Sequence, residues 1–317
     1  MRVLVTGGAG FIGSEFVRSA LSNKFDTLDL DISKLTVVDS LTYAANMESL
    51  NEVANNSKFD FVQGDIRNST LIEKLVLNSD LVVNFAAESH VDRSIENAND
   101  FVTTNVMGVF NILEAVKKKM GVRFIQISTD EVYGSIKNGS FTEKSNLRPS
   151  SPYSASKASA DLLSISYFTT HNLNISITRS SNNYGRFQNK EKFIPKIITE
   201  ALKGNSLPIY GNGKNKRQWV HVSDNVFGVA VVCAKGKAGE IYNIGSGNEI
   251  SNKKLAKFIL NLSPNKLSEI EFVEDRKGHD FRYSIKDTKL SKLGYAPKVK
   301  FINGIKDTIS FYSSQSN

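Results

Sequence analysis

Short apolar runs alternate with amphipathic stretches along the first half of the chain. Residues 2–6, 35–39, 59–62, 81–85 and 122–128 are brief runs rich in Val, Leu, Ile and Phe. That is the pattern of strands covered on both faces. Between them, residues 11–23, 71–77 and 101–119 carry helical spacing. Strand, helix, strand in repetition predicts a parallel sheet wound by right-handed crossovers. A longer helix is predicted over residues 152–171, with Pro152 at its start, followed by a strand at 175–178. Past Asn183 the pattern changes, and Gly211, Gly213, Gly245 and Gly247 punctuate shorter elements. The predicted architecture is α/β: a doubly wound parallel sheet over residues 1–183, then a smaller, mixed α/β substrate lobe over 184–317, with some segments returning to the main sheet. Residues 313–317 read as a frayed tail.

Composition adds exclusions. No run of about 18 apolar residues occurs, so no membrane span is predicted. The first strand follows Met1 directly, so no leader segment is expected. One cysteine, Cys233, lies among valines and reads as a buried structural thiol. Both readings point to the cytoplasm. The net charge of +8 comes from scattered lysines, and Lys117–Lys119 sits where a helix C-terminus favours positive charge. No aromatic–basic interleaving accompanies it, so a nucleic-acid partner is not expected, whereas an anionic substrate such as a diphosphate is. No metal is expected.

The most informative stretch is VLVTGGAGFIG at residues 3–13. Its glycines follow a strand and open a helix, as binding of a dinucleotide on a Rossmann sheet requires. Gly7 or Gly8 permits the tight turn, Gly10 lets the backbone approach a pyrophosphate, and Gly13 lets helix and strand pack closely. The helix N-terminus then presents free N–H groups to the phosphates. Asp39, at the end of the second strand, would bind the adenosine ribose hydroxyls and repel a 2′-phosphate. No arginine follows in Ser40–Leu41–Thr42, which selects NAD over NADP. Asp65 either flanks the adenine or caps a helix.

Tyr153 and Lys157 are four residues apart on the predicted helix and so share one face. A nearby ammonium and a positive nicotinamide ring would favour the phenolate of a tyrosine whose ordinary pKa is near 10, making it a base toward a substrate hydroxyl. Alone, this spacing also fits a plain surface helix. Thr129, Asp130 and Glu131 follow a strand at the sheet edge where ligands bind. Thr129 would hold the hydroxyl that Tyr153 deprotonates. Two adjacent acids in a dry site split their pKa values and supply an acid and a base. As a bare pair they also fit loop caps.

Taken together the chain resembles the extended short-chain dehydrogenase/reductase family, and within it the nucleoside-diphosphate-sugar 4,6-dehydratases. GGAGFIGS at 7–14, DSLTYAANMESL at 39–50, GDI at 64–66, NFAAESHVDRSI at 84–95, STDEVYG at 128–134, YSASKA at 153–158 and SNNYG at 181–185 carry the likeness. EKFIP at 191–195, PIYGNGKNKR at 208–217, YNIG at 242–245 and EDRKGHD at 274–280 extend it nearly end to end. The resemblance implies NAD-dependent dehydration of a nucleoside-diphosphate glucose, with dTDP-glucose first and UDP-glucose as the alternative. A 4-epimerase or a decarboxylase is the neighbouring reading. Tyr153 would accept the C4 hydroxyl proton as hydride leaves for NAD, Glu131 would remove the C5 proton, and Asp130 would protonate the departing C6 hydroxyl. Hydride would then return to C6, leaving a 4-keto-6-deoxy sugar nucleotide.

The resemblance also implies contacts residue by residue. Phe11 and Ile12 would line the pyrophosphate. Asp39, Ser40, Leu41 and Thr42 would surround the adenosine, with Asp65 and Ile66 at the adenine. Phe85, Ala86, Ala87 and Glu88 would run beneath the cofactor, near Thr104. Lys157 would hold the nicotinamide ribose, and Asn183 would contact the nicotinamide side. Ser89, Thr129 and Asn182 would face the sugar. Lys192, Phe193, Pro208, Ile209, Tyr210, Arg217, Asn248, Arg276 and His279 would hold the nucleoside diphosphate, Arg217 and Arg276 by forking onto phosphate oxygens. Trp219 reads as lobe packing. A homodimer through the helices at 101–119 and 153–171 is implied. Ser40, Gln218, Lys277 and Arg186 depart from the family's usual residues, several of them near the nucleotide site and none at the acid, base or tyrosine.

Overall fold

A computed structural model describes residues 1–315; Ser316 and Asn317, the end of the expected tail, lie outside the described residues. Along the first half run β1 (Arg2–Thr6), α1 (Phe11–Leu21), β2 (Lys34–Asp39), β3 (Phe59–Gln63), α2 (Ser69–Leu77) and β4 (Leu81–Asn84). The short helices α3 (Val91–Glu96) and α4 (Asn99–Val102) precede α5 (Val109–Lys118), β5 (Arg123–Thr129), α6 (Pro152–His171) and β6 (Ile175–Ser180). Then come β7 (Asn182–Tyr184), α7 (Phe193–Lys203), β8 (Leu207–Tyr210), β9 (Lys216–His221), α8 (Val222–Lys235) and β10 (Ile241–Ile244). The chain closes with β11 (Glu249–Ser251), α9 (Asn252–Leu262), β12 (Ile270–Val273), α10 (Thr288–Ser291) and α11 (Phe301–Ser314).

The seven-stranded main sheet has the order β10-β6-β5-β4-β1-β2-β3, and every pairing in it is parallel. The chain winds outward from β1 to β3, then returns to place β4 on the other side of β1. That reversal opens a crevice at the carboxyl ends of β1 and β4, where the connections diverge. Helices cover both faces, so β4 and β6 are buried along their whole length. α1 and α8 pack on one face through Phe16, Val17, Val226 and Val229. α2, α5 and α6 pack on the other through Ile72, Val76, Ile112 and Ala160. A buried polar seam ties β1, β4 and β5 together. Thr6 Oγ1 donates to Asn84 Oδ1 at 2.5 Å, and Asn84 Nδ2 donates to Gln126 Oε1 at 2.8 Å.

β10 is the segment of the second half that rejoins the main sheet, beside β6. The remaining strands form a three-stranded sheet, β11-β9-β7, and a two-stranded one, β12-β8. Ile194, Ile197, Ile198, Leu255, Ile259 and the buried Trp219 fill their shared core. Cys233 is buried in α8, and burial pushes its thiol up to about 12, so it packs as an apolar group.

Local sequence explains the catalytic helix. Ser151 caps α6 by accepting from the Ser154 N–H at 3.1 Å, the Ser154 hydroxyl accepts from the Ser151 N–H, and Pro152 occupies the first turn. The helix expected over 101–119 differs. A π-helical turn at Thr103–Gly108 separates α4 from α5. The Asn105 side chain explains the distortion: it accepts from the Glu88 N–H at 2.8 Å and donates to the Glu88 carbonyl and to Ser156 Oγ. Among the described residues no helix is long and apolar enough to cross a membrane.

The glycine turn has no spare room. Gly7 has φ +67°, and a Cβ there would lie 2.5 Å from the Ala86 nitrogen; at Gly13 it would lie 2.2 Å from the Gly7 oxygen. Gly7→Ala is therefore expected to destabilise the protein by at least about 2 kcal/mol, measured by urea unfolding.

Candidate active site

The glycine turn lies at the crevice opened by the strand reversal. Gly10 starts α1 with no side-chain cap and no acid in the first turn, so the helix N-terminus is open to an anion. Phe11, Ile12 and Gly13 line the adjoining cleft, with Phe85 and Ala87 opposite. A second cavity of about 490 Å³ continues from the same turn toward β2 and β3. Asp39, Ser40, Thr42, Asp65, Ile66, Ala86, Glu88 and Thr104 line it. Asp39 is buried and accepts from the Ala9 N–H and the Leu41 N–H, each at 2.9 Å. Burial raises its pKa and these two bonds oppose the rise. Its two oxygens keep lone pairs for a diol.

The larger cleft, of about 960 Å³, holds the reactive groups. β5 delivers Thr129 to its floor, and a single 3₁₀ turn, Asp130–Tyr133, follows. Thr129 Oγ1 accepts from the Glu131 N–H at 3.2 Å, which fixes the turn. α6 brings Tyr153 and Lys157 to the same cavity. Lys157 Nζ donates to the Ile127 carbonyl at 2.6 Å and keeps two further donors. Burial pushes its ammonium down to about 8.

The two acids divide as their surroundings dictate. Asp130 is 1% exposed, and its Oδ2 is buried without a hydrogen-bond partner. Burial first, and then the Glu131 carboxylate, hold Asp130 well above the usual carboxyl range. Burial also raises Glu131, but Arg276, Arg217 and Lys192 oppose it. Asp130 is thus the carboxyl pushed further toward its protonated form, while Glu131, also raised by burial, is drawn back toward ionisation by the nearby cations. Tyr153 differs from expectation. Burial and then the Glu131 carboxylate keep the phenol above its ordinary value, while Lys157 turns its ammonium onto the Ile127 carbonyl.

The opposite wall comes from the second half of the chain. Asn182, Asn183, Lys192, Phe193, Pro208, Tyr210, Arg217, Arg276 and His279 all line the cleft, as does Ser89 from the strap after β4. Lys192 Nζ donates to the Ser89 carbonyl at 2.6 Å. Arg217 already donates to the Lys216 and Asp280 carbonyls, and its guanidinium lies 4.2 Å from the centre of the Tyr283 ring. Arg276 keeps Nε buried and unpaired. Asn182 Oδ1 and Asn183 Oδ1 are likewise buried without partners. Orphaned buried polar atoms concentrated in one cleft are groups that a polar ligand satisfies.

This geometry combines a dinucleotide turn, a tyrosine–lysine pair and two unlike acids. The family described as GDP-mannose 4,6 dehydratase matches residues 4–308. The chain belongs to this family. It is 49% identical to the low-salt glycan biosynthesis protein Agl12 of Haloferax volcanii, across 98% of both chains. It is 47% identical to a dTDP-glucose 4,6-dehydratase of an Actinoplanes strain, again across 98% of each. The fold matches DesIV, a dTDP-glucose 4,6-dehydratase from Streptomyces venezuelae crystallised with NAD and TYD bound, with a TM-score of 0.96 and 46% identity over 99% of this chain and 97% of that one.

Three residues that the family resemblance assigns to the site do not line either cavity. Leu41 turns into the core beside the glycine turn, with φ +56°. Ile209 is fully buried in the second lobe, and Asn248 is bonded to Ser246 Oγ outside the lining. Conversely, Tyr43 and Arg93, which lie in segments that carry the resemblance but are assigned no role there, line the cavity walls. The Arg93 guanidinium lies 3.8 Å from the centre of the Tyr43 ring and bonds Glu191 at 2.9 Å. Asn105 was equally hidden. Its signal, a polar residue at a buried helical position, is visible only once the face of that helix is known.

The raised Asp130 carries a pH signature. A carboxyl whose folded pKa lies above its unfolded value favours folding most below the unfolded value, and that contribution is lost as pH rises through the folded one. Asp130→Asn removes this dependence. Its melting temperature relative to the parent is expected to increase from pH 4 to pH 8 in scanning calorimetry at about those two values.

Proposed function

We propose that the chain catalyses the NAD-dependent dehydration of dTDP-glucose to a 4-keto-6-deoxy sugar nucleotide and water. The observation that carries this reading is the Asp130–Glu131 pair beside Tyr153 in the same cleft, Asp130 buried with an unpartnered Oδ2 and Glu131 subject to the positive charge of Arg276, Arg217 and Lys192. Full-length identity to dTDP-glucose 4,6-dehydratases supports it. The residues fit NAD: the open N-terminus of α1 suits the pyrophosphate, Asp39 suits an unphosphorylated ribose, and Lys157 keeps donors for the second ribose.

Bound NAD supplies a hydride acceptor for C4, a hydride donor for C6, and a positive ring that favours the Tyr153 phenolate. Thr129 orients the C4 hydroxyl and Tyr153 removes its proton. The C4 ketone acidifies the C5 hydrogen, which Glu131 takes. Asp130 gives its proton to the C6 hydroxyl, which leaves as water. Glu131 then gives its proton back to C5 as C6 regains the hydride, and the O4 proton held by Tyr153 passes through solvent to restore Asp130. Lys192, Arg276 and the free edge of Arg217 hold the diphosphate. The compartment proposed is the cytoplasm, in keeping with a lone buried thiol.

Incubation with dTDP-glucose and UDP-glucose separately tests the reading. A 4-keto-6-deoxy product from dTDP-glucose is expected, seen by its absorbance in alkali; a galactose product instead would establish a 4-epimerase. Tyr153→Phe and Glu131→Gln should each lower kcat by roughly 100-fold or more. In single turnover, Asp130→Asn should accumulate NADH, because oxidation outruns water loss.

The proposed assembly is a homodimer. Val102, Met107, Phe110 and Leu162 leave apolar side chains exposed on the 99–118 helical run and α6, which a second copy would cover in a four-helix packing. Light scattering should give twice the mass of the 35.0 kDa chain, and Met107→Glu combined with Leu162→Glu should halve it.

A further inference from the structure

Behind the tyrosine–lysine pair lies a buried charge cluster that the reaction does not use directly. Asp161 follows Lys157 by one turn of α6 and is 0% exposed. Arg179, on β6, is 1% exposed and donates from Nε to Asp161 Oδ2 at 2.8 Å. Asp161 therefore bonds Arg179 directly and acts on the Lys157 ammonium through its charge, one helical turn away.

Arg179 has a second neighbour. Its cross-strand partners are Ser128 on β5 and Asn243 on β10, so the three occupy one row across the sheet. The ring of Tyr133 lies over that row, 4.8 Å from the Arg179 guanidinium, and its hydroxyl donates to Asn243 Oδ1 at 2.8 Å. Tyr133 is the last residue of the turn that begins with Asp130 and Glu131. The acid–base turn is thus held at its far end by Arg179, which is itself held by the helix carrying Tyr153 and Lys157.

We infer that Asp161 and Arg179 are positioning residues, which fix the distance between the acid–base turn and the tyrosine–lysine helix, and that Asp161, one helical turn from Lys157, also favours its charged form. The inference rests on the tyrosine–lysine reading above. A buried ion pair is a poor source of stability, since apolar residues of similar volume usually replace it without loss. Its placement here bridges the two catalytic elements. The charged and titratable groups around Lys157 are Asp161 and Tyr153 on α6, Arg179 on β6, and Asp130 and Glu131 on the turn after β5, with Glu143 beyond Asn243. Burial lowers the Lys157 ammonium and Asp161 is the charge that opposes this.

The test separates structure from positioning. Asp161→Leu and Arg179→Met, each alone, should melt at lower temperature, because each strands a buried charge. The double variant should regain the parental melting temperature. Its kcat should nevertheless stay lower by roughly tenfold to a hundredfold, with KM for dTDP-glucose nearly unchanged. Recovery of kcat together with melting temperature would overturn the inference. Asp161→Asn decides independently of how the double variant folds. It keeps the shape and an acceptor for Arg179 but loses the charge. The alkaline limb of its kcat profile should move to lower pH by about half a unit or more, and an unmoved limb overturns the inference. Tyr153→Phe is the control on the underlying reading: if it turns over like the parent, the tyrosine–lysine assignment fails whatever the ion pair does.

Discussion

Taking ionisable side chains out of water at the carboxyl end of β5 is the constraint around which the protein is arranged. Asp130, Glu131, Tyr153 and Lys157 converge there, and burial is the largest influence on each of them. A buried charge must be paired, neutralised or hydrogen-bonded. The structure meets this in three ways within one cleft. Glu131 has positive charge brought toward it from the second half of the chain by Arg276, Arg217 and Lys192, which opposes the upward push of burial. Asp130 is pushed toward its neutral form, by burial first and then by the Glu131 carboxylate beside it. Lys157 is hydrogen-bonded to a carbonyl of β5. The different answers given to two adjacent carboxyls are what make one an acid and the other a base.

The parallel sheet is what allows this. Thr6 and Asn84 end their strands in register with Gln126 of β5, the seam from Thr6 to Gln126 holds the three strands side by side, and β5 runs on beyond this row to deliver Thr129. A crevice then forms at the β1–β4 reversal without any residue devoted to making it. Loops that leave this edge carry the chemistry, and the rigid strands beneath set where the loops start.

Features governed by local rules were legible in the sequence. The helix at 152–171 has its serine cap, its proline and its ending in neighbouring residues, and it appears with the bounds its sequence predicts. The glycine turn was legible because backbone approach excludes a Cβ there. What escaped depends on partners distant in the chain. The π turn at 103–108 follows from Asn105 bonding Glu88 and Ser156, neither of which a helical periodicity can see. The spacing of Tyr153 and Lys157 places them on one face, yet which acceptor the ammonium chooses is settled by β5. Resemblance located Ile209 and Asn248 near the substrate end, while the inward-facing side of β8 and the Ser246 hydroxyl take their side chains elsewhere. Asp161 and Arg179 read as ordinary charged residues until the strand row that joins Ser128, Arg179 and Asn243 is known.

The two ends of the cleft are built by different means, and the difference matches what the cycle demands. At the cofactor end the walls are backbone: glycines with no space for a Cβ, a bare helix N-terminus, and a carboxylate tied to two amides. Such a wall offers few alternative arrangements, as suits a dinucleotide that is reduced and reoxidised within each turnover. The substrate end is a wall of long side chains, Lys192, Tyr210, Arg217 and Arg276, drawn from separate segments of the second half. Arg276 and Tyr210 both reach Asp92 of α3, at 3.6 and 3.4 Å, through partly exposed contacts weak enough to exchange for a diphosphate. A wall of that kind lets one ligand in and another out each cycle, while the rigid end keeps the redox partner in register with Tyr153. Rigidity at the glycine turn and exchangeable contacts at Arg276 are therefore two requirements of one reaction that returns its own hydride.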